Sequence, residues 1–198
     1  GLANGTAVNL AGNNETESTA SVSITTATLT SGQQVNVVLG TSETVSITGN
    51  GAGSTVIIDA ALAVADDFDG DKDVVSADSN VQITLNGSSN FYLTDVSADV
   101  SAATVTGDVE IDAQDAVNNL VIVTGSGDDI ISVGTGIDNL TGGAGDDTFI
   151  FNEAGNGFSG IGTGNRTIIT DFEDFGIAGG DEITVYDDAW ASAAFIGT

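Results

Sequence analysis

Residues 124–150 read TGSGDDIIS-VGTGIDNLT-GGAGDDTFI, three consecutive nonapeptides that share one pattern. Each has glycine at its second and fourth positions, aspartate at its sixth and a large apolar residue at its eighth. Glycine permits the tight turn that the first six residues need, and the last three have the composition of a short strand. In repeat order, these positions are Gly125, Gly127, Asp129 and Ile131; Gly134, Gly136, Asp138 and Leu140; Gly143, Gly145, Asp147 and Phe149. The pattern predicts a parallel β-roll or β-solenoid in which each nonapeptide contributes one turn and one strand.

The aspartates of this pattern are candidate metal ligands. Two nonapeptides make one coil, so Asp129 and Asp147, 18 residues apart, are predicted to lie one above the other. Coils stack at about 4.8 Å, and two carboxylates at that distance repel each other unless a cation lies between them. Aspartates and inward-facing carbonyls form an all-oxygen ligand set that suits Ca2+, whereas zinc and copper sites use the His or Cys that this chain lacks. We therefore predict Ca2+ as the cofactor.

Through these repeats and a tail at residues 167–189, the chain resembles the RTX family of secreted calcium-binding proteins. The resemblance implies that each ion lies between turns n and n+2 and is held by aspartates and backbone carbonyls from both. Carried over to this sequence, the one complete site consists of Gly125, Gly127 and Asp129 with Gly142, Ala144 and Asp147. The candidate ligands also include Gly143 and Gly145, the second- and fourth-position glycines of the third repeat.

The second repeat lies on the opposite edge of the solenoid and has no equivalent partner. With coils of 18 residues, Leu120 precedes Asp138 at the aspartate position and Asn156 follows it. That edge is therefore expected to hold a half-built site or none.

Composition limits the classes of function. The chain has 198 residues, 29 acidic and two basic, for a net charge of -27. Bound divalent cations would relieve that repulsion, and the near-absence of basic residues argues against nucleic acid or an acidic membrane surface as a partner. The chain has no His or Cys, which excludes Ser-His-Asp, Cys-His and zinc-hydrolase chemistry. No apolar stretch approaches the roughly 20 residues that span a bilayer, so membrane insertion is not expected.

Strand signals extend far upstream of the repeats. Short β-branched segments punctuated by Gly, Asn, Ser and Thr recur about every ten residues, at 22–24, 35–39, 45–47, 56–59, 81–85, 91–93, 109–111 and 120–123. We expect an all-β chain whose solenoid covers residues 81–198, with the repeats at 124–150 and a capping tail at 167–198. Residues 1–65 would either continue it or form a small β-sandwich or irregular β domain, and residues 56–64 are also compatible with a short helix. An acidic loop at 66–80 is the predicted boundary.

That acidic loop is a second candidate calcium region. Its core, DDFDGDKD (66–73), spaces aspartates as calcium loops do, and the candidate ligands are Asp67, Asp69, Asp71 and Asp73. It departs from an EF-hand, because Lys72 replaces the sixth-position glycine and no helices are predicted to flank it. A calcium-ordered loop and a solvated acidic turn both remain open.

The tail TIITDFEDFGIAGGDEITVYDDA (167–189) resembles the segment that closes RTX solenoids. Asp171 and Asp181 fall on the family's acidic positions and are candidate ligands, while Arg166 stands where the family usually has aspartate. The apolar residues of the tail, Phe172, Phe175, Ile183, Val185, Tyr186 and Trp190, are expected to cap the open end of the core.

Three classes of function follow. The first is an extracellular structural protein of the bacterial surface or matrix, because residues 81–123 resemble in composition the segments that precede RTX repeats in surface-layer (S-layer) proteins. Such a subunit would self-associate, and the RTX resemblance implies type I secretion followed by calcium-driven folding outside the cell. The second is a module of a large adhesin or polysaccharide-modifying protein, with a cell-surface polysaccharide as the candidate partner. The third, an enzyme, is not supported by any catalytic motif.

Overall fold

The computed structural model describes residues 6–9, 20–25, 31–38, 43–48, 53–60, 72–76, 81–152, 166–173 and 179–186. Every regular element within these ranges is a β-strand, as expected from their β-branched and alternating composition. The strands are β1 (Thr6–Asn9), β2 (Ala20–Thr25), β3 (Gln34–Val38), β4 (Glu43–Thr48), β5 (Ser54–Ala60), β6 (Lys72–Ser76), β7 (Val81–Gly87), β8 (Phe91–Thr94), β9 (Asp99–Val105), β10 (Val109–Ala113), β11 (Val121–Val123), β12 (Ile130–Val133), β13 (Asn139–Thr141), β14 (Thr148–Asn152), β15 (Ile168–Ile169) and β16 (Glu182–Tyr186).

The strands form two eight-stranded sheets. The odd-numbered strands lie in order in one sheet and the even-numbered strands lie in order in the other, so the chain crosses between sheets at every turn. Each pair of neighbouring strands is parallel. In the repeats, Ile131 pairs with Phe149 in one sheet and Ile122 pairs with Leu140 in the other. The predicted all-β, parallel β-roll is confirmed.

The sheets run through the N-terminal part without a change of architecture. Strand β5 pairs in parallel with β7 over seven residues, from Ser54 with Val81 to Ala60 with Gly87. A β-sandwich is built from antiparallel sheets with their own core, and the described strands before residue 66 have neither feature. The described strands before residue 66 therefore continue the roll, and a separate domain over residues 1–65 stays a prediction. Of the segment 56–64, which was also compatible with a helix, residues 56–60 lie in strand β5 and residues 61–64 lie outside the described residues.

The predicted acidic loop at 66–80 contains a strand. Lys72–Ser76 forms β6, which pairs with β4 on one side and β8 on the other. The segment thus contributes a strand to the solenoid. Dividing the chain into domains at this position stays a prediction, although both sheets continue across it.

One hydrophobic core fills the space between the sheets. In β7 the side chains of Val81, Ile83 and Leu85 are buried and alternate with partly or fully exposed neighbours, as expected for strands with one face inward. The largest fully buried side chains are Ile58, Ile83, Leu85, Phe91, Leu93, Ile111, Leu120 and Phe149. The core therefore extends from well upstream of the repeats to their last strand.

The tail packs against the C-terminal end of this core. Phe172 and Ile183 are partly buried there, and the ring centroids of Phe149 and Phe172 are 6.1 Å apart. Val185, also expected in the cap, is partly exposed, whereas Phe175 and Trp190 lie outside the described residues. The described part of the tail thus covers some of the apolar end.

Candidate metal centre

The first and third repeats stack at one edge of the roll. Strands β12 and β14 pair in register, so the turns that precede them lie one above the other. As a result, the backbone N–H of Asp129 donates to Oδ1 of Asp147 at 3.0 Å. Both carboxylates are buried, with 1% of Asp129 and 2% of Asp147 exposed. The structure therefore brings together the two aspartates that the 18-residue spacing places in contact.

These two carboxylates belong to a longer column. The N–H of Asp147 donates to Oδ1 of Asp181 at 3.1 Å, and the N–H of Val109 donates to Oδ1 of Asp129 at 2.7 Å. Each side chain thus reaches back to the backbone of the preceding coil. The column connects the tail through two repeats to β10, which lies outside the repeat pattern.

On the same edge, a second column of side chains reaches in the opposite direction along the roll. The sequence analysis did not predict it. The N–H groups of Asp146, Asp128 and Asp108 donate to the side-chain oxygens of Asp128, Asp108 and Asn90 at 3.0, 2.9 and 2.8 Å. Here each carboxylate or amide reaches forward to the next coil. The fifth-position aspartates beside Asp129 and Asp147 were the available signal. Consecutive aspartates therefore tie each turn to both of its neighbours.

Glycines leave space that oxygen atoms fill. Gly143 and Gly145 have φ angles of 107° and 133°, which side chains rarely adopt. A Cβ at either position would overlap the carbonyl oxygen of Gly125 or Gly127 in the coil below, respectively. A Cβ at Gly142 would overlap the carboxylate of Asp147. The turn is therefore closely lined by carbonyl and carboxylate oxygens, the ligand type that Ca2+ prefers.

Two of the carbonyl candidates take part in contacts between the stacked turns. The N–H of Ala144 donates to the carbonyl of Gly125 at 2.9 Å, which leaves that oxygen a second lone pair. The carbonyl of Gly142 accepts the hydroxyl of Thr124 at 2.6 Å. Among the described residues no three acidic side chains converge into a metal site, so an ion here would depend on backbone carbonyls for much of its coordination.

Burial makes the negative charges of this edge costly. It raises the pKa of Asp129 to about 7 against the lowering effect of the hydrogen bond from Val109. Burial likewise raises the pKa of Asp147 to about 6, and the nearby charges of Asp181, Asp171 and Asp128 raise it further while the N–H of Asp129 lowers it. A bound cation would offset both effects. The electrostatics of the site fit an oxygen-liganded cation.

On the opposite edge, no carboxylate among the described residues stacks directly on Asp138. Asp138 is buried and its Oδ1 accepts the N–H of Leu120 at 2.9 Å, while burial raises its pKa. Its own N–H donates to Oγ1 of Thr167 at 3.1 Å. The residue that follows Asp138 in the stack is therefore Thr167, 29 residues on, and the expected placement of Asn156 is wrong. Additional residues between β14 and β15 lengthen this coil beyond 18.

The acidic residues of the tail bind backbone N–H groups. The carboxylate of Asp171 accepts the N–H groups of Gly142 and Gly143 at 3.1 and 2.8 Å. Oδ2 of Asp181 accepts the N–H of Glu173 at 2.8 Å. Together with the bond from the N–H of Asp147 to Asp181, these contacts place both aspartates against the third repeat, and their role as ligands stays a prediction.

Of the four acidic-loop candidates, the described residues include one, and it lies away from this site. Asp73 lies in β6, where it pairs with Tyr92 of β8. Asp67, Asp69 and Asp71 lie outside the described residues.

Comparison with known families identifies the repeat block. Residues 123–156 match the family described as RTX calcium-binding nonapeptide repeat (4 copies). No curated protein and no solved structure matches the chain. RTX nonapeptide repeats bind Ca2+, occur in secreted proteins and are in general structural or calcium-binding elements. No helix in the described part of the chain is long and apolar enough to cross a membrane. Residues 123–156 thus match RTX calcium-binding nonapeptide repeats, and their described part, residues 123–152, lies in the parallel β-roll.

Proposed function

We propose that this chain is an extracellular structural protein, a subunit of a bacterial S-layer or surface matrix, whose β-roll is locked by calcium and associates with further copies. The observation that carries the proposal is the buried pair Asp129 and Asp147, stacked at the edge of a roll that continues far upstream of the repeats. An ion between them would hold coils of one extended β-structure together. The role is non-enzymatic.

The ion is proposed to lie between the first and third repeats. Its ligands would be the carboxylates of Asp129 and Asp147 with the carbonyl oxygens of Gly125, Gly127, Gly142 and Ala144. The close stacking of the glycine turns supports this set, because it aligns carbonyl oxygens beneath positions where no side chain fits. Asp171 and Asp181 are proposed to support the site from the tail, since both already contact the third repeat or its aspartate.

Calcium is proposed to drive folding outside the cell. A chain with a net charge of -27 resists compaction, and a metal site formed only on folding contributes its binding energy to the folded state. Type I secretion of a loosely folded chain into millimolar calcium fits this physics.

Circular dichroism during a calcium titration tests the folding step. We expect β signal to rise with calcium and to fall again when chelator is added. A full β signal in chelator would show that calcium does not drive folding of the roll.

Self-association is proposed to occur end to end. Among the described strands, β1 and β2 lie at one end of the two sheets and β15 and β16 at the other. The strands β1, β2 and β15 contain no charged residue, β16 contains Glu182, and the chain has no proline, so three of the four end strands lack the usual guards of edge strands. Because all the strands are parallel, the last coil of one copy presents the strand direction that the first coil of another continues. Repetition of that contact gives an open filament.

Two matched variants test this geometry. Val121 and Ile168 occupy one outward column of the same sheet, through Asn139, and are 47% and 49% exposed. Ile168 lies on the edge strand, whereas Val121 lies two strands inside it. We expect Ile168→Lys to reduce calcium-dependent assembly in sedimentation while Val121→Lys, with the same charge change, leaves it intact. Equal loss in both would indicate association through the sheet face, and a wild-type chain that stays monomeric in millimolar calcium would refute self-association.

A further inference from the structure

The first repeat differs from the third at its first position. That position holds Thr124 in the first repeat, Val133 in the second and Gly142 in the third. The side chain of Thr124 is 2% exposed, so its hydroxyl must find partners inside the protein. It finds them in the turn that carries the proposed calcium ligands.

Three acceptors surround the Thr124 hydroxyl. Oγ1 lies 2.6 Å from the carbonyl oxygen of Gly142 and 3.2 Å from that of Thr141, and the carboxylate of Asp129 is near enough for this hydroxyl to lower its pKa. Gly142 and Asp129 belong to the two different turns between which the ion is proposed to lie. The hydroxyl therefore bridges the two halves of the site.

This cluster contains more acceptors than protons. A threonine hydroxyl carries one hydrogen and two lone pairs, so it can donate fully to only one of the three oxygens. The carbonyl of Thr141 is already satisfied by the N–H of Thr124 at 2.9 Å, but Gly142 and Asp129 compete for the single hydroxyl proton. Oxygen atoms gathered in a buried place with too few hydrogens are what a hard cation requires.

From this geometry we infer that Thr124 is a side-chain ligand of the calcium ion between Asp129 and Asp147. Its hydroxyl adds a neutral oxygen to the carboxylates and carbonyls, in a place where the consensus glycine could offer only its backbone. The inference rests on the proposed position of the ion.

Calcium affinity and ligand hydration test this role. Thr124→Val replaces the hydroxyl with a methyl of similar size, and Thr124→Ser keeps the hydroxyl. We expect Thr124→Val to weaken calcium binding roughly fivefold to tenfold in calorimetry, the effect of losing about one hydrogen-bond-sized interaction, while Thr124→Ser stays near wild type. Thr124→Gly, the consensus residue, should weaken binding similarly and serves if the valine variant does not fold.

A readout that packing alone would not change is the hydration of a bound lanthanide. Terbium luminescence lifetimes in H2O and D2O should show about one additional bound water at this site in Thr124→Gly, because solvent replaces the hydroxyl. Thr141→Val is the matched control, since its hydroxyl contacts Thr170 on the exposed side at 2.7 Å. It should change neither hydration nor affinity.

A double-mutant comparison makes the test specific to the site. In an Asp147→Asn background, Thr124→Val should have little further effect on calcium affinity, because the shared ion is already poorly held. Wild-type affinity and hydration in the Thr124 variants would overturn the inference while leaving the calcium site intact. Absence of calcium binding in the wild-type chain would instead refute the proposed site.

Discussion

The variant Asp147→Asn distinguishes two effects of this carboxylate: the cost of burying its charge and its contribution to calcium binding. The side chain is 2% exposed, and its pKa is about 6 against an ordinary value of 3.8. At about 1.4 kcal/mol per pKa unit, ionising Asp147 inside the ion-free fold costs about 3 kcal/mol more than in the unfolded chain. Asparagine keeps the Oδ1 acceptor for the N–H of Asp129 and removes the charge.

The effect of the Asp147 charge on the stability of the fold depends on pH. A folded pKa raised above the unfolded one means that the full stability is present below the unfolded pKa, near 3.8, and is lost as pH rises through about 6. At pH 8 without calcium the wild-type chain therefore bears the whole cost. We expect Asp147→Asn to be more stable than wild type in chelator at pH 8, by up to about 3 kcal/mol.

Calcium should reverse the order. A site saturated at a thousandfold its dissociation constant adds about 4.1 kcal/mol to the wild-type chain, more than the cost of about 3 kcal/mol, and the variant should lose most of that gain. Circular dichroism at pH 8 measures both effects, with urea as the perturbant in calcium and the stabilising osmolyte TMAO in chelator, where the wild-type roll is expected to be largely unfolded. Asp146→Asn is the matched control, because it removes the same charge from the exposed neighbouring residue. A variant less stable than wild type in chelator, or stabilised by calcium as much as wild type, would contradict the reasoning.

Three further predictions concern the same turns. Gly143→Ala should lower the melting temperature in calcium and reduce the free energy of unfolding by about 1–3 kcal/mol or more. The φ of 107° is strained for alanine, and its Cβ would overlap the carbonyl of Gly125. As a control, Gly32→Ala is also at positive φ but in open space, and it should reduce the free energy of unfolding less. Calcium affinity measured by calorimetry should fall from pH 8 to pH 6, because protons compete for Asp129, whose ion-free pKa is about 7; equal affinity at both values would show that Asp129 does not bind the ion. Asp138→Asn should leave the calcium stoichiometry unchanged, and loss of one bound ion would reveal a second site on the opposite edge.

The sequence predicted what depends on local pattern. Alternation of apolar residues identified β7 and β10, and the 18-residue interval between Asp129 and Asp147 placed them in contact. Both follow from periods that the chain repeats without interruption, so side-chain direction and register are determined together.

Which residues stack on each other across coils of irregular length could not be predicted from the sequence. Val109 pairs with Asp129 at an interval of 20 residues, and Thr167 follows Asp138 at an interval of 29. The number of residues in a turn is free to vary where no repeat constrains it, and only pairing between distant strands determines which residues meet. Strand β6 was not predicted from the sequence. Its apolar centre is only two valines long and is surrounded by aspartates, so no strand pattern is visible there.

The two opposed columns of side chains at the repeat edge have a mechanical consequence. Because one aspartate of a turn holds the coil before it and its neighbour holds the coil after it, a pull on the chain ends must break both contacts before a coil is released. Each 18-residue coil then yields roughly 60 Å of chain at about 3.4 Å per residue. The repeat block would extend in steps of that size, so the roll would yield under load coil by coil.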